Sequence, residues 1–374
     1  MKYSQRYQEL SSQFRLGVGT HLIESNIDVR FFPFQSLQGT NQNDNTVLDP
    51  VDEKINENLS FVYPVFMPGG TQKADKAILL LHGLNERSWN KYLPWAEYLC
   101  SKTGKPVILF PIAFHMNRSP VSWSNPRVLQ YNMSVRRQQY GEDRSMSFAN
   151  VALSERITEK PYRFYSSGRQ SIHDLSTLIE EIKNGKHSLF KENTQIDIMA
   201  YSIGAFLAEI IMMANPHRLF SDSKLFLFCG GGIFSSMVGQ SRSIMDKKAF
   251  EMLYHYYLNL FTDSVKTDSA PDEILESFTS MISPERKQSE RESFFNQLGN
   301  KLKGISLLAD KVMPHQGIIE ALGQNCAANR FSQMNFSFPY SHENPFPVGG
   351  ALINSAEVDS CFTNVFSKIC DFLG

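Results

Sequence analysis

The hydrophobic positions of the first 70 residues follow a different pattern from those of the rest of the chain. Residues 3–14 have the spacing of a short amphipathic helix, and residues 28–34 and 60–66 have that of strands. A polar stretch at 38–47 lies between the two strands and predicts a loop. We therefore expect residues 1–70 to form an N-terminal extension that carries the first strands.

From residue 71 onward, short apolar runs alternate with helical patterns. The runs are 76–81 (KAILLL), 106–112 (PVILFPI), 195–200 (QIDIMA), 224–229 (KLFLFC) and 305–309 (ISLLA). Continuous runs of this kind predict strands buried on both faces, and helical patterns at 172–182 and 205–213 lie among them. An alternating strand at 332–338 and a helix from about residue 355 follow. The order predicts an α/β fold, a mostly parallel central sheet with helices on both faces.

Two long segments interrupt this alternation. Residues 116–168 are polar and aromatic and predict a polar loop insertion. Residues 235–303 repeat apolar positions at helical spacing and predict a helical cap. The α/β core is then formed by residues 71–234 together with 304–374.

Composition excludes several classes of protein. The 374 residues include 37 Lys and Arg and 38 Asp and Glu, and a net charge of −1 argues against a nucleic-acid binder with a basic surface. Five cysteines without a C-x-x-C pair argue against a disulfide framework or a zinc knuckle. No run reaches 18 apolar residues, so no transmembrane segment is predicted. The N-terminus resembles no secretory signal, and we expect a cytoplasmic location.

Small residues surround Ser202 directly after the apolar run 195–200. The string AYSIG at 200–204 is a variant of the G-x-S-x-G pattern, and an apolar helical segment follows it. In this pattern the serine lies on a sharp turn between strand and helix that exposes its hydroxyl at the top of the sheet. The context predicts a nucleophile, and a plain helix cap is the alternative.

The apolar run 76–81 ends at His82, Gly83 and Leu84. A strand followed by His-Gly resembles the loop that supplies one oxyanion-hole amide in α/β-hydrolases. The backbone N–H groups of Leu84 and Ile203 are therefore the predicted oxyanion hole. A simple turn with a packed His82 is the alternative.

Two later strands end beside an acid and a histidine. Asp310 follows the run 305–309, and His342 opens the loop after the last predicted strand. The carboxyl ends of parallel strands meet at one edge of a sheet, so we expect both side chains near Ser202. The alternatives are a turn-forming Asp310 and an exposed His342, and His315 is the second choice of base.

The chain order Ser202, Asp310, His342 resembles that of the α/β-hydrolase superfamily, over roughly residues 75–374 apart from the two insertions. The resemblance implies a serine hydrolase without a cofactor. Ser202 would be the nucleophile, His342 the general base and acid, and Asp310 the group that orients the imidazole. The implied reaction cleaves a carboxylic ester, or a related acyl bond, through an acyl-enzyme. No particular subfamily is indicated, because the chain has no HGGG run.

Other functions remain open beside this one. An acyltransferase would use the same triad with an alcohol or thiol acceptor, and a non-catalytic binding module would keep only the fold. A dinucleotide site at the glycines 230–232 is disfavoured because Ser235 stands where a third glycine is needed. The nine histidines form no H-E-x-x-H motif, so no metal site is predicted.

The expected partner is a small acyl substrate. Tyr201, His82 and His115 follow or adjoin strand ends and are candidate substrate-binding residues. From Arg118 to Arg169 the chain holds eight Arg and one Lys against four acids, a net charge of +5. One interpretation is that these arginines bind an anionic part of the substrate, and the other is that they pair with nearby acids. The candidates are Arg118, Arg127, Arg136, Arg137 and Arg144.

Overall fold

The strands align in one mixed sheet in the order β1-β2-β3-β5-β4-β6-β7-β8-β9. The structure is a computed structural model that describes residues 2–36, 48, 50–265, 272–350 and 353–374. The nine strands within these residues are β1 Thr20–Leu22, β2 Ile27–Gln35, β3 Ser60–Pro68, β4 Ala74–Leu81, β5 Val107–Leu109, β6 Phe190–Tyr201, β7 Leu225–Phe228, β8 Leu302–Leu307 and β9 Phe331–Met334. The strands from β5 to β9 in this order pair in parallel, and β1 to β3 form an antiparallel edge.

Helices connect the parallel strands. The α-helices of the described residues are α1 Tyr3–Gln13, α2 Asn56–Leu59, α3 Leu93–Thr103, α4 Pro126–Tyr140, α5 Val151–Glu159, α6 Arg163–Lys183, α7 Ile203–Ala214, α8 Lys247–His255, α9 Phe261–Ser264, α10 Glu273–Ser280, α11 Gln288–Leu298, α12 His315–Leu322, α13 Gln324–Arg330 and α14 Ser355–Leu373. None of the helices in the described ranges has the length and apolar character needed to cross a membrane.

The sheet separates two hydrophobic cores, because successive side chains of a strand point to opposite faces. In β4, Ile78 and Leu80 pack in one core together with side chains of α1, α3 and α14. Leu79 and Leu81 pack in the other core with α6 and α7. Helices therefore cover both faces, and the predicted α/β-hydrolase type of fold, with its mostly parallel sheet, is confirmed.

Two strands are shorter than the sequence predicts by three residues or more. The predicted strand at 106–112 is limited to Val107–Leu109, because Pro111 has no N–H for the ladder and the N–H of Ile112 donates to His82. The predicted strand at 332–338 ends at Met334. Beyond it, Phe336 and Phe338 pack in an aromatic cluster with Phe346 and Tyr340. The loop predicted at 38–47 lies outside the described residues.

The segment 116–168 is largely helical, whereas the sequence predicted a polar loop. The side chain of Asn125 caps α4, and Pro126 at its first position favours helix initiation. Leu129 and Met133 of α4 then pack against Val151 of α5. The helix α6 begins at Arg163 and continues through the boundary placed at residue 168, so insertion and core share this helix.

Gly204 allows α7 to pack directly on the end of β4. A Cβ atom at this position would lie 2.6 Å from the carbonyl oxygen of His82 and 2.9 Å from the carbonyl carbon of Leu81. Backbone atoms cannot move aside as the end of a flexible side chain can. The approach of helix to strand therefore requires a residue without a side chain.

We predict that Gly204→Ala lowers the free energy of unfolding by about 1–3 kcal/mol, because the added methyl group overpacks this contact. The measurement is urea denaturation followed by circular dichroism. Gly168→Ala in α6 is the matched control, since a Cβ there meets no atom within 4 Å. Equal midpoints for the two variants would show that the contact tolerates a methyl group.

Candidate active site

Ser202 occupies a strained turn between β6 and α7. Its backbone angles are φ 58° and ψ −123°, a conformation that a residue with a side chain rarely adopts. The turn is held by its neighbours: the N–H of Ser202 donates to the carbonyl of Phe228, and Gly230 lies so close that a Cβ would be 3.1 Å from the Ser202 carbonyl oxygen. The backbone thus has the geometry expected of a nucleophile elbow.

Ser202, His342 and Asp310 form a continuous chain of hydrogen bonds. The Oγ of Ser202 lies 2.6 Å from Nε2 of His342, and Nδ1 of His342 lies 2.8 Å from Oδ2 of Asp310. All three residues are at most 5% exposed. The other carboxylate oxygen of Asp310 accepts the N–H groups of Val312 and Met313, which fixes the carboxylate in place.

This arrangement specifies the protonation of the imidazole. A carboxylate at Nδ1 keeps the proton on that nitrogen, so Nε2 presents its lone pair to the serine hydroxyl. The arrangement can therefore take a proton from Ser202 and stabilise the resulting imidazolium. His315, the second choice of base, instead bonds the hydroxyl of Ser306 at 3.0 Å.

Tyr201 contacts His342 and was predicted to bind substrate. Its hydroxyl donates to the backbone carbonyl of His342, and the two rings stack with centroids 5.6 Å apart. Burial raises the pKa of Tyr201 well above its usual value, so the phenol stays a neutral donor. The side chain is 1% exposed, and its contacts position the histidine loop.

The predicted oxyanion-hole residues lie beside the same cavity as the serine. Leu84, Ile203 and Ser202 line one cavity. In the described chain, neither the Leu84 nor the Ile203 backbone N–H donates a hydrogen bond to another residue. The Ile203 amide also opens α7, where the helix dipole favours negative charge. Both amides are thus available to an anionic oxygen.

His82 has a structural position instead of the predicted place in the substrate pocket. It is completely buried, its Nδ1 donates to the Gly83 carbonyl, and its Nε2 accepts from the N–H of Ile112. Burial lowers the pKa of His82 to about 3. Both ring nitrogens are used, so the residue ties the oxyanion loop to the end of β5.

His115 does line cavities next to the site. Its Nδ1 donates to the carbonyl of Ala113, and its Nε2 is buried without a hydrogen-bond partner among the described residues. Burial lowers the pKa of His115 to about 3, so the ring is neutral and Nε2 is a free acceptor. The residue remains a candidate for contacting a donor group of a substrate.

The arginines predicted to bind an anion are mostly committed to other partners. Arg118 is completely buried, with a 2.7 Å ion pair to Asp174, and lies outside the cavities next to Ser202. Arg136 forms a buried ion pair with Asp246 at 2.8 Å. Arg118 is therefore a structural residue, because its charge is already neutralised within the core.

Arg137 also pairs with an acid, the carboxylate of Glu142 at 3.5 Å on the surface. Arg127 and Arg144 are exposed. The alternative interpretation, in which these arginines serve ion pairs, therefore accounts for three of the five candidates.

Two cavities meet at Ser202. A polar cleft of about 300 Å³ contains Ser202, His342 and the charged side chains of Glu86, Arg87 and Lys91. Ser202 also lines a narrow apolar pocket of about 40 Å³. Its walls are Leu84, Phe164, Ile203, Phe234, Met237, Ile244, Met245, Phe250, Leu253, Val312 and Met313.

Sequence reasoning missed Glu86, Arg87 and Lys91, although they follow the predicted oxyanion loop by only a few residues. The signal was their place after the first parallel strand, at the edge where ligands bind. Among the residues that the structure describes, no three metal-ligating side chains cluster together.

The sheet and the turn at Ser202 define the class of the protein as an α/β-hydrolase fold with a serine at the elbow. The chain belongs to DUF6051, a family of unknown function, whose model matches residues 37–374. No curated protein matches the chain.

Three solved structures illustrate what the fold is similar to. An esterase of Pyrobaculum calidifontis is 11% identical, with 99% of this chain and 90% of that chain covered and a TM-score of 0.46. Carboxyl esterase 2 of Tuber melanosporum is 10% identical, with 99% of this chain and 98% of that chain covered and a TM-score of 0.43. Vibralactone cyclase is 10% identical, with 100% of this chain and 86% of that chain covered and a TM-score of 0.46. At such low similarity these likenesses carry no argument about activity, and the class rests on the sheet and the elbow.

The buried His82 predicts sensitivity to acid. The pKa of His82 is about 3 in the folded protein and about 6.5 in the unfolded chain. Between about pH 3 and pH 6.5, the His82 imidazole is therefore protonated in the unfolded chain and neutral in the folded protein. The free energy of unfolding therefore falls as the pH drops from about 6.5 towards 3. The slope contributed by one histidine reaches about 1.4 kcal/mol per pH unit.

Urea denaturation between pH 6.5 and 4 measures this slope. We predict a shallower slope for His82→Gln, which cannot take up the proton, and no change for His255→Gln, whose side chain is exposed. Identical slopes in wild type and His82→Gln would contradict the assignment.

Proposed function

We propose that the protein is a serine hydrolase that cleaves a carboxylic ester through an acyl-enzyme. The observation that supports this proposal most directly is the chain of hydrogen bonds from Ser202 Oγ through His342 to Asp310, at 2.6 and 2.8 Å, on a nucleophile elbow. A serine that only capped a helix would need neither the strained backbone nor an imidazole oriented by a buried carboxylate.

In the first half of the reaction, Ser202 Oγ attacks the carbonyl carbon of the ester while its proton moves to Nε2 of His342. The carboxylate of Asp310 stabilises the imidazolium. The carbonyl oxygen becomes an oxyanion and accepts hydrogen bonds from the Leu84 and Ile203 amides. When the tetrahedral intermediate collapses, His342 returns the proton to the leaving alcohol and the acyl group stays on Ser202.

In the second half, water takes the place of the alcohol. His342 removes a proton from this water, whose oxygen attacks the acyl carbon, and the same two amides stabilise the second oxyanion. Collapse of this intermediate returns the proton to Ser202 Oγ and releases a carboxylic acid. The polar cleft next to His342 gives the water a route to the acyl-enzyme.

The shape of the cavities supports an ester with one apolar part. The pocket beside Ser202 is narrow. Its walls include Met237 and Phe250 of the segment 235–303, and Phe234 directly before this segment. Such a pocket favours a short hydrocarbon group, because transfer of each CH₂ group out of water contributes about 0.8 kcal/mol.

We predict that Ser202→Ala abolishes ester hydrolysis. By analogy with serine proteases, kcat falls by a factor of about 10⁶ when the nucleophile is removed. A panel of p-nitrophenyl esters with acyl chains of different length measures the activity. A fluorophosphonate probe reports the activated serine independently of the choice of substrate.

Ser243 provides a matched control, because it lines the same polar cleft as Ser202 and has no histidine partner in the described chain. Ser243→Ala should keep its labelling by the probe, and Ser202→Ala should lose it. Labelling that survives in Ser202→Ala would refute the assignment of the nucleophile.

We further predict that Asp310→Asn lowers kcat by a factor of about 10⁴, the loss known for this change in serine proteases. The asparagine oxygen can still accept the Val312 and Met313 N–H groups, so the turn is retained. Its NH₂ group then faces Nδ1 of His342 and forces the wrong tautomer. Steady-state kinetics measures kcat, and thermal unfolding shows whether the variant is folded. A correctly folded Asp310→Asn variant with nearly wild-type kcat would contradict the prediction.

A further inference from the structure

The polar cleft next to Ser202 contains four charged side chains, and two of them neutralise each other. Glu86 and Lys91 form an ion pair, and the ammonium group of Lys91 also lies 4.7 Å from the centre of the Tyr201 ring. Arg87 and Glu343 remain. They are not within ion-pair distance of each other, so the cleft contains a positive charge at Arg87 and a separate negative charge at Glu343.

Arg87 is a half-buried cation that lacks an acid. Its Nη1 donates to the carbonyl of Trp123 and to the hydroxyl of Ser124, which are both neutral acceptors. In the parts of the chain that the structure covers, no carboxylate lies within 4.0 Å of Arg87, and its Nε and Nη2 have no acceptor. Burial alone lowers the pKa of Arg87, because no acid offsets the loss of hydration.

The more deeply buried arginines show how unusual this is. Arg118 and Arg136 each face an aspartate, and Arg6 faces Glu97. Arg291 has no acidic partner among the residues that the structure covers, but its three nitrogens donate to backbone carbonyls. Arg87 differs from these four arginines because it is only partly buried, has unused N–H donors and lies in the wall of the cleft that contains Ser202.

We propose that Arg87 binds a carboxylate of the substrate, so that the preferred substrates of this enzyme are esters that carry a negative charge. This inference rests on the proposed function of Ser202. A guanidinium whose Nε–H and Nη2–H groups are free is suited to a carboxylate, because these two groups form one edge that donates two parallel charge-assisted hydrogen bonds. The residue lies three positions after Leu84, so the same loop supplies the oxyanion amide and the anion site.

The two cavities divide the substrate between them. The apolar pocket offers no charged partner, and a carboxylate there would lose its hydration without compensation. The charged part of the ester therefore lies in the polar cleft with Arg87, and the uncharged part lies in the apolar pocket. The negative charge of Glu343, which also lines the cleft, disfavours an anion bound away from Arg87.

The experiment compares esters that differ in charge and little in shape. The first pair is 4-carboxyphenyl butyrate and its neutral isostere 4-carbamoylphenyl butyrate, in which the alcohol part carries the charge. The second pair is the mono-p-nitrophenyl ester of glutaric acid and its neutral isostere p-nitrophenyl 4-carbamoylbutanoate, in which the acyl part carries the charge. For each pair, the ratio of kcat/KM for the anionic ester to that for the neutral ester is measured at low and high salt.

We expect the anionic ester of at least one pair to be preferred, and Arg87→Gln to lower that ratio by at least about tenfold, the usual size of a hydrogen bond to a charged group. Arg87→Lys should retain part of the preference, because lysine keeps the positive charge. It should not retain all of it, because lysine lacks the two parallel N–H donors of the guanidinium. Arg15→Gln, which removes an exposed arginine after α1, should leave the ratio unchanged. High salt should reduce the preference.

Binding separates the failure of this inference from the failure of the proposed function. Calorimetry with Ser202→Ala measures the affinity for both esters of the first pair without turnover, alone and combined with Arg87→Gln. Tighter, Arg87-dependent binding of the anionic ester supports the subsite even if wild type hydrolyses neither ester. Ratios and affinities that do not depend on Arg87 overturn the inference, and Ser202-dependent hydrolysis of neutral esters would then leave the proposed function intact.

Discussion

The backbone conformation of Ser202 is the constraint on which the site depends. A residue with a side chain holds φ 58° only when its surroundings impose it, and here they do so from three sides. The strand β6 is fixed between β4 and β7, α7 packs on β4 through Gly204, and Gly230 lies against the turn. The stability of the sheet thus maintains the local strain that presents the hydroxyl.

Around that turn, the loops after different strands bring together the groups of the proposed reaction. The loop after β4 brings Leu84 and Arg87, the loop after β8 brings Asp310, and the loop after β9 brings His342. These groups are buried or partly buried, so their hydrogen bonds are stronger than in water. For the same reason, a charged group among them requires a partner. Arg87 lacks such a partner within the described residues, and in our account the substrate provides it.

The sequence was sufficient to predict the parallel sheet and the sharp turn at Ser202, because both depend on local patterns. Apolar runs marked the parallel strands, and small residues around Ser202 marked the turn. The sequence offered ion pairing as one interpretation of the arginines but could not identify the partners, since Arg118 meets Asp174 at a separation of 56 residues and Arg136 meets Asp246 at 110. Segment 116–168 was mistaken for a loop because its helices pack through few apolar residues.

The most direct measurement is the chemical identity of the intermediate. The protein is mixed with a p-nitrophenyl ester, stopped with acid within the first turnover, digested and analysed by mass spectrometry. We expect an acyl group on the peptide that contains Ser202, at a level equal to the p-nitrophenol released in that turnover. Release of p-nitrophenol with the acyl group on another residue, or on none, would contradict it.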